Sequence, residues 1–263
     1  MNNNNLTVSI IQADLAWEDK EKNLKKFSDK INKITSITDV IVLPEMFTTG
    51  FSMQAELLAE PMDGRTMNWM KTTANKKNCV LTGSFICKEN GCFFNRLIWM
   101  NPNGSYIKYD KRHLFSMGNE NRYYSAGQEK VIVELKGWKI CPLICYDLRF
   151  PVWSRNSKDN PYDLLIYIAN WPQRRSLAWN TLLVARAIEN QCYVMGVNRV
   201  GMDGNAIEHV GGSAVITAAG ELISSITSGE ESEINITLNY SALIEFRKIF
   251  PALADSDCFQ IGE

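Results

Sequence analysis

Histidine is nearly absent from this chain of 263 residues: His113 and His209 are the only two, and they lie far apart in sequence. That scarcity argues against a zinc site, which draws on clustered histidines and cysteines. The seven cysteines (Cys79, Cys87, Cys92, Cys141, Cys145, Cys192 and Cys258) include no CxxC pair. Their odd number and their places inside apolar runs argue against a disulfide framework and for a reducing compartment. Excess charge of either sign is missing as well. With a formal net charge of −1, the chain offers no basic stripe as a footprint for nucleic acid. Apolar runs such as "DLLIYIA" fall far short of the length that spans a bilayer. The opening "MNNNN" has neither the basic nor the apolar segment of a signal peptide. Residues 1–5 are therefore expected to form a frayed end, and the protein is expected to be soluble and cytoplasmic. There is also no G-x-S-x-G elbow, no P-loop, and no G-x-G-x-x-G after a strand.

What is present is material for one large core: 45% of the residues are hydrophobic. "LTVSIIQ" (6–12) reads as a strand, and Leu24, Phe27, Ile31 and Ile34 recur at helical spacing behind it. "DVIVLPEM" (39–46) is a short buried strand, and 64–78 a helix. Residues 79–111 have strand character broken by Asn90-Gly91 and Asn103-Gly104 turns. Two strands meet across Lys136-Gly137, and strand, helix and strand follow at 162–170, 174–191 and 192–198. A strand pair around Ala219-Gly220, a strand at 232–239 and a short helix complete the pattern. Alternation at both ends with meanders between them indicates an α/β protein with a mixed sheet or two sheets. No linker or composition break divides it, so 1–263 reads as a single domain.

Three polar residues stand in unusual places. Glu45 ends the apolar run "VIVLPE", where desolvation favours the protonated form and suits a carboxylate to base chemistry. Lys111 follows a strand in "YIKYDKRHLF", where by itself it reads as a surface lysine. Cys145 sits where the strand "WKICPLIC" stops. Alternation puts Ile140, Pro142 and Ile144 on one face, with Cys141, Leu143 and Cys145 on the other. Cys141, in mid-strand, is expected to pack as a small hydrophobe. Cys145 precedes a turn whose first free N–H, that of Tyr146, can serve as an oxyanion donor. Taken alone, Cys145 fits a core thiol as well as a nucleophile.

In order, "LPEMF", "YDKRHLF" and "PLICYDLRFP" resemble the Glu–Lys–Cys series of the nitrilase superfamily of carbon–nitrogen hydrolases. "ANWP" (169–172), "ARAIENQCYVMGVNRVG" (185–201) and "GGSAVITAAGELI" (211–223) look like later motifs of that family, so the resemblance covers nearly the whole chain. Two positions depart from it: Ala218-Ala219 stand where relatives often carry Asp-Pro, and Val152 where many carry Glu. The resemblance implies a four-layer α-β-β-α sandwich with two mixed β-sheets, commonly paired into homodimers through outer helices. It also implies a second glutamate in the site, at Glu120.

The "CYDLRFP", "ANWP" and "FRKIFPALADSD" segments look most like the ω-amidase branch, whose members hydrolyse the terminal amide of α-keto acids such as 2-oxoglutaramate and 2-oxosuccinamate. On that basis Cys145 is expected to be the nucleophile, Glu45 the general base, and Lys111 with the Tyr146 N–H the oxyanion donors. The expected partners are a small-molecule amide and water, and no step requires a metal or cofactor. An anionic substrate calls for a cation, and Arg149, Arg174 and Arg175 are candidates, although Asp147 and Arg149 also fit a structural pair. Phe47, in the stretch "MFTTGF", and Trp171 are candidate pocket walls. Three alternatives stay open. One is a Cys145–His113 dyad, another a sister amidase acting on deaminated glutathione or a carbamoyl amino acid, and the third a non-catalytic binding protein on the same fold.

Overall fold

The computed structural model describes residues 4–257, 259 and 261. The chain begins with β1 (Leu6–Gln12), α1 (Lys20–Lys33), β2 (Val40–Val42), α2 (Ala55–Leu58) and α3 (Arg65–Lys77). A meander follows, β3 (Val80–Glu89), β4 (Cys92–Met100) and β5 (Tyr106–Asp110), then α4 (Glu120–Tyr123). The second half runs β6 (Val133–Leu135), β7 (Trp138–Ile144), α5 (Pro151–Ser154), β8 (Leu164–Ala169), α6 (Ser176–Asn190) and β9 (Tyr193–Asn198). It closes with β10 (Val200–Met202), β11 (Glu208–Val210), β12 (Ala214–Ile216), β13 (Leu222–Ser225), β14 (Ser232–Leu238) and α7 (Tyr240–Ile249).

Among the described residues β10 pairs with β11 in a separate two-stranded sheet, and the other twelve strands form two mixed six-stranded sheets, ordered β14-β1-β2-β3-β4-β5 and β13-β12-β9-β8-β7-β6. Each has three parallel strands at its centre, β1-β2-β3 in one and β7-β8-β9 in the other, flanked by antiparallel strands. Period-two alternation sorts the first sheet into two faces. Leu6, Val8, Ile10, Val40 and Val42 meet the second sheet, while Ile11 and Ile41 pack with Phe27 and Ile31 of α1 and Met70 of α3. β8 and β9 are buried along their whole length, which explains the unbroken apolar runs "LLIYIA" and "YVMGVN". α6 covers the second sheet closely. A Cβ at Gly196 of β9 would lie 2.5 Å from Leu183 and 2.7 Å from Trp179, so only glycine admits this helix.

Local chemistry sets the ends of the elements. Asp19 caps α1 by accepting from the Lys22 N–H, and α3 ends on left-handed Asn78. Lys136 and Gly137 both take positive φ, +52° and +84°, as a two-residue hairpin between twisted strands requires. The β10–β11 hairpin is an element the hydrophobic pattern does not predict. At the N-terminus, the Asn4 carbonyl accepts from the Trp138 indole N–H at 2.5 Å. The frayed end expected over 1–5 thus does not extend to Asn4, and Met1–Asn3 lie outside the described residues. Among the described residues no helix is long and apolar enough to cross a membrane.

Candidate active site

The parallel strands bring their carboxyl ends to one side, where open α/β sheets bind ligands. Glu45 lies three residues past β2, Lys111 directly after β5, Cys145 directly after β7 and Asn170 directly after β8. All four line one pocket. Left-handed residues turn the chain at the two key points: Met46, after Glu45, has φ +42°, and Cys145 itself has φ +44°. Side chains rarely adopt this region, and strain of this kind persists where the surroundings hold it.

The cluster is tightly bonded. Lys111 Nζ donates to Glu45 Oε1 at 2.9 Å and to both Glu120 oxygens at 3.0 and 2.9 Å. Glu45 Oε1 also accepts from Asn95 Nδ2 at 2.8 Å, and Oε2 from the Asn170 backbone N–H at 2.8 Å. Glu120 Oε2 accepts from the Phe115 N–H at 2.6 Å. Glu45, Lys111, Glu120 and Asn95 are all buried, whereas Cys145 keeps partial exposure to the pocket. Burial works against charge on Lys111, yet Glu120 and Glu45 outweigh it and hold the ammonium well above its ordinary range. Burial also raises Glu120, with Lys111 opposing and Glu45 adding.

The nucleophile candidate behaves differently from a standing thiolate. Burial pushes the Cys145 thiol well above its ordinary value, and the Glu45 carboxylate pushes it further through charge and a hydrogen bond, with Lys111 opposing. Cys145 therefore rests as a thiol aimed at a carboxylate acceptor. Its proton has to leave as the sulfur attacks.

The turn that carries Cys145 is anchored by Asp147, which is completely buried. Asp147 Oδ2 accepts from the Tyr109 hydroxyl at 2.7 Å and the Ile144 N–H at 3.0 Å. Its Oδ1 accepts from the His113 N–H at 3.0 Å and faces His113 Nδ1 at 2.8 Å. Two of the readings left open do not match this arrangement. His113 is engaged by Asp147 and stacks on Phe150 with ring centroids 3.7 Å apart, so it forms no dyad with Cys145. Asp147 is likewise no partner for Arg149, whose guanidinium instead lies 4.9 Å from the Trp171 ring centroid.

Arg149, Trp171, Arg174, Arg175 and Tyr146 line the pocket with Cys145. Among the described residues none of the three arginines has an ion-pair partner within salt-bridge distance. Arg175 sits 5.1 Å from the Phe115 ring centroid. Its guanidinium is shifted down by burial and by repulsion from Arg174 and Arg149. Phe47 is a correction: it is fully buried on the helix side of the first sheet, edge-on to Phe27 at 5.5 Å, and does not line the pocket. Phe51, Met53, Phe115 and Met117 form the apolar wall instead. The β10–β11 hairpin supplies Asp203, Asn205 and His209 from the far side. Burial, assisted by Arg199, lowers His209 to about 4 and keeps it neutral. Among the described residues no three His, Cys, Asp or Glu side chains gather as metal ligands.

A pair of mixed sheets flanked by helices, with Glu, Lys and Cys converging on their carboxyl ends, defines a hydrolase of carbon–nitrogen bonds. The family model for carbon-nitrogen hydrolases matches residues 7–248, and the chain belongs to that family. It is 47% identical to the omega-amidase YafV of Escherichia coli (strain K12) over 97% of this chain and 98% of that protein. It is also 36% identical to a 2-oxoglutaramate amidase of Bacillus subtilis (strain 168), over 95% and 96% of the two chains. Among solved structures, XC1258 of Xanthomonas campestris superposes with a TM-score of 0.96 at 44% identity, covering 98% of this chain and 99% of that one. XC1258 is a CN-hydrolase superfamily protein with an arsenic adduct in its active site.

Proposed function

We propose that this protein is an ω-amidase, hydrolysing the terminal amide of a small α-keto acid, 2-oxoglutaramate or 2-oxosuccinamate, to the dicarboxylate and ammonia. One observation carries the choice: three arginines without acidic partners line the pocket that holds Cys145, Glu45 and Lys111. Guanidinium groups left unpaired beside a reactive centre suit a substrate that brings its own carboxylate. The names of the relatives from Escherichia coli and Bacillus subtilis support the same assignment.

In this scheme Cys145 Sγ attacks the amide carbonyl carbon while Glu45 takes the thiol proton. The carbonyl electron pair moves to oxygen, where Lys111 Nζ and the Tyr146 N–H receive it. Tyr146 is the second residue of a 3-10 turn, so its N–H has no partner within the turn. Collapse expels ammonia with the proton from Glu45 and leaves a thioester on Cys145. Water then attacks that thioester as Glu45 takes its proton, and the thiol departs reprotonated. Glu120 positions Lys111 through both of its oxygens.

The whole chain acts as one catalytic unit in the cytoplasm, and as a homodimer that covers exposed apolar side chains such as Leu177 and Ile188 of α6. Ammonia release measured across a panel of amides tests the assignment. 2-Oxoglutaramate should exceed deaminated glutathione and N-carbamoyl amino acids in kcat/KM. A carbamoyl substrate ahead of it points to the sister amidases, and no turnover of any amide points to a binding protein.

A further inference from the structure

Asn95 is a neutral residue of mid-strand β4 that faces two acids. It is completely buried, and its Nδ2 lies 2.8 Å from Glu45 Oε1 and 3.3 Å from Glu120 Oε1. An amide nitrogen carries two protons, one for each acceptor. In the reverse orientation Oδ1 would stand beside Glu45 Oε1, an oxygen that already accepts from Lys111 Nζ. In the orientation present, Oδ1 is buried without a hydrogen-bond partner. A buried acceptor left unpaired is costly, and departures of this kind concentrate at functional sites. Through its backbone carbonyl the same residue also accepts from the Lys111 N–H at 3.1 Å.

We propose that Asn95 is a positioning residue that donates one amide proton to each of Glu45 and Glu120 and so holds both carboxyl groups in place around the single Lys111 ammonium. The balance of charge explains the need. Two buried carboxylates share one cation. A second cation would neutralise them but would also compete for the oxyanion, whereas a neutral two-proton donor favours the carboxylates without doing so. The titratable groups facing the pair are Lys111 from the end of β5, Cys145 from the turn after β7 and Tyr124 from the end of α4, and Glu18 acts on Tyr124 from further away. Lys111 is the one cation among them. The inference rests on the reading of Glu45 as general base.

The test compares wild type, Asn95→Ala, Asn95→Ser, Asn95→Asp and Glu45→Gln in two assays. One is the pH profile of kcat/KM for ammonia release, and the other the pH profile of Cys145 alkylation by iodoacetamide, which needs no amide substrate. In Asn95→Ala the acid limb should move to higher pH by about one to two units, the size expected for one charge-assisted hydrogen bond. kcat should fall while KM changes little. Asn95→Ser, with one donor, should fall between, and Asn95→Asp should shift furthest. If Glu45→Gln alters alkylation but the Asn95 variants keep the wild-type acid limb, the proposal is overturned and Glu45 remains the base. If Glu45→Gln alkylates with the wild-type profile, the general-base reading itself fails.

Discussion

His113 and Asp147 meet twice: Asp147 Oδ1 accepts the His113 backbone N–H at 3.0 Å and faces the ring Nδ1 at 2.8 Å. The same carboxylate holds Tyr109, just before Lys111, and Ile144, just before Cys145. A single buried acid therefore joins the segment that carries the lysine to the turn that carries the cysteine. The ring can be spared but the carboxylate cannot. His113→Ala keeps the backbone bond and should retain ammonia release within about tenfold. Asp147→Ala strands a hydroxyl and two N–H groups and should lower stability by about 3–5 kcal/mol in urea unfolding. A His113→Ala enzyme as inactive as Cys145→Ala would restore the dyad.

Cys145 and Lys111 should separate by what they do to stability. Cys145→Ser changes neither charge nor volume appreciably, so the urea midpoint should stay put while turnover falls by at least about a thousandfold. Lys111→Ala removes the one cation between Glu45 and Glu120, so activity and stability should fall together, the latter by about 3–5 kcal/mol. Equal loss of stability in Cys145→Ser would mean the thiol is structural.

Alkaline pH should unfold the protein through its thiols. Burial pushes Cys79 and Cys87 up to about 11 and Cys141 up to about 12, and raises Cys145 and Cys192 as well. In the unfolded chain these groups ionise near 8.5–9. Because the folded values are higher, the fold favours the protonated form. That contribution is complete below the unfolded value and is lost as pH rises, at about 1.4 kcal/mol per pH unit for each thiol. Urea midpoints should stay level from about pH 6 to 8 and fall between about pH 9 and 11. Cys141→Val should flatten the slope; an unchanged slope would assign the fall to other groups.

Much of the fold was legible because it rests on period. The alternation of β1, the spacing of α1 and the Lys136-Gly137 turn each carry a local signal that the structure repeats. The site was legible in a different way: Cys145 differs from Cys141 only in standing just past the end of β7 rather than within it, and it was the ordered company of Glu45 and Lys111 that singled it out. Within "MFTTGF" Phe47 was singled out where Phe51 is the wall, because Met46 and Gly50 both take positive φ, +42° and +74°, and redirect a segment that no period describes. Asn95 left no mark in the sequence, and Asn170 stood in the "ANWP" motif without a role of its own. Each is an asparagine at or near a strand, and its importance lies in what stands opposite in three dimensions. The Asp147–Arg149 pair failed for the same reason, since proximity in sequence does not fix which acid a cation meets.

The arginines provide the test of substrate choice. Arg149 is packed against Trp171 and Arg175 against Phe115, so both guanidinium groups are held by ring faces while their N–H edges stay unclaimed by acids. Cys145 and Tyr146 are among the groups that act electrostatically on Arg175, which puts this guanidinium within reach of the reacting centre. Arg175→Ala should therefore raise KM for 2-oxoglutaramate by about ten- to a hundredfold, the worth of a charge-assisted hydrogen bond, with a smaller change in kcat. Arg175→Lys should recover only part of this, because an ammonium cannot hold a carboxylate with two parallel bonds. A neutral amide of similar length, turned over slowly by wild type, should show no such rise. If Arg175→Ala weakens the neutral and anionic amides alike, the residue shapes the pocket through Phe115 and the carboxylate is bound elsewhere, with Arg149→Ala and Arg174→Ala the variants that would show where.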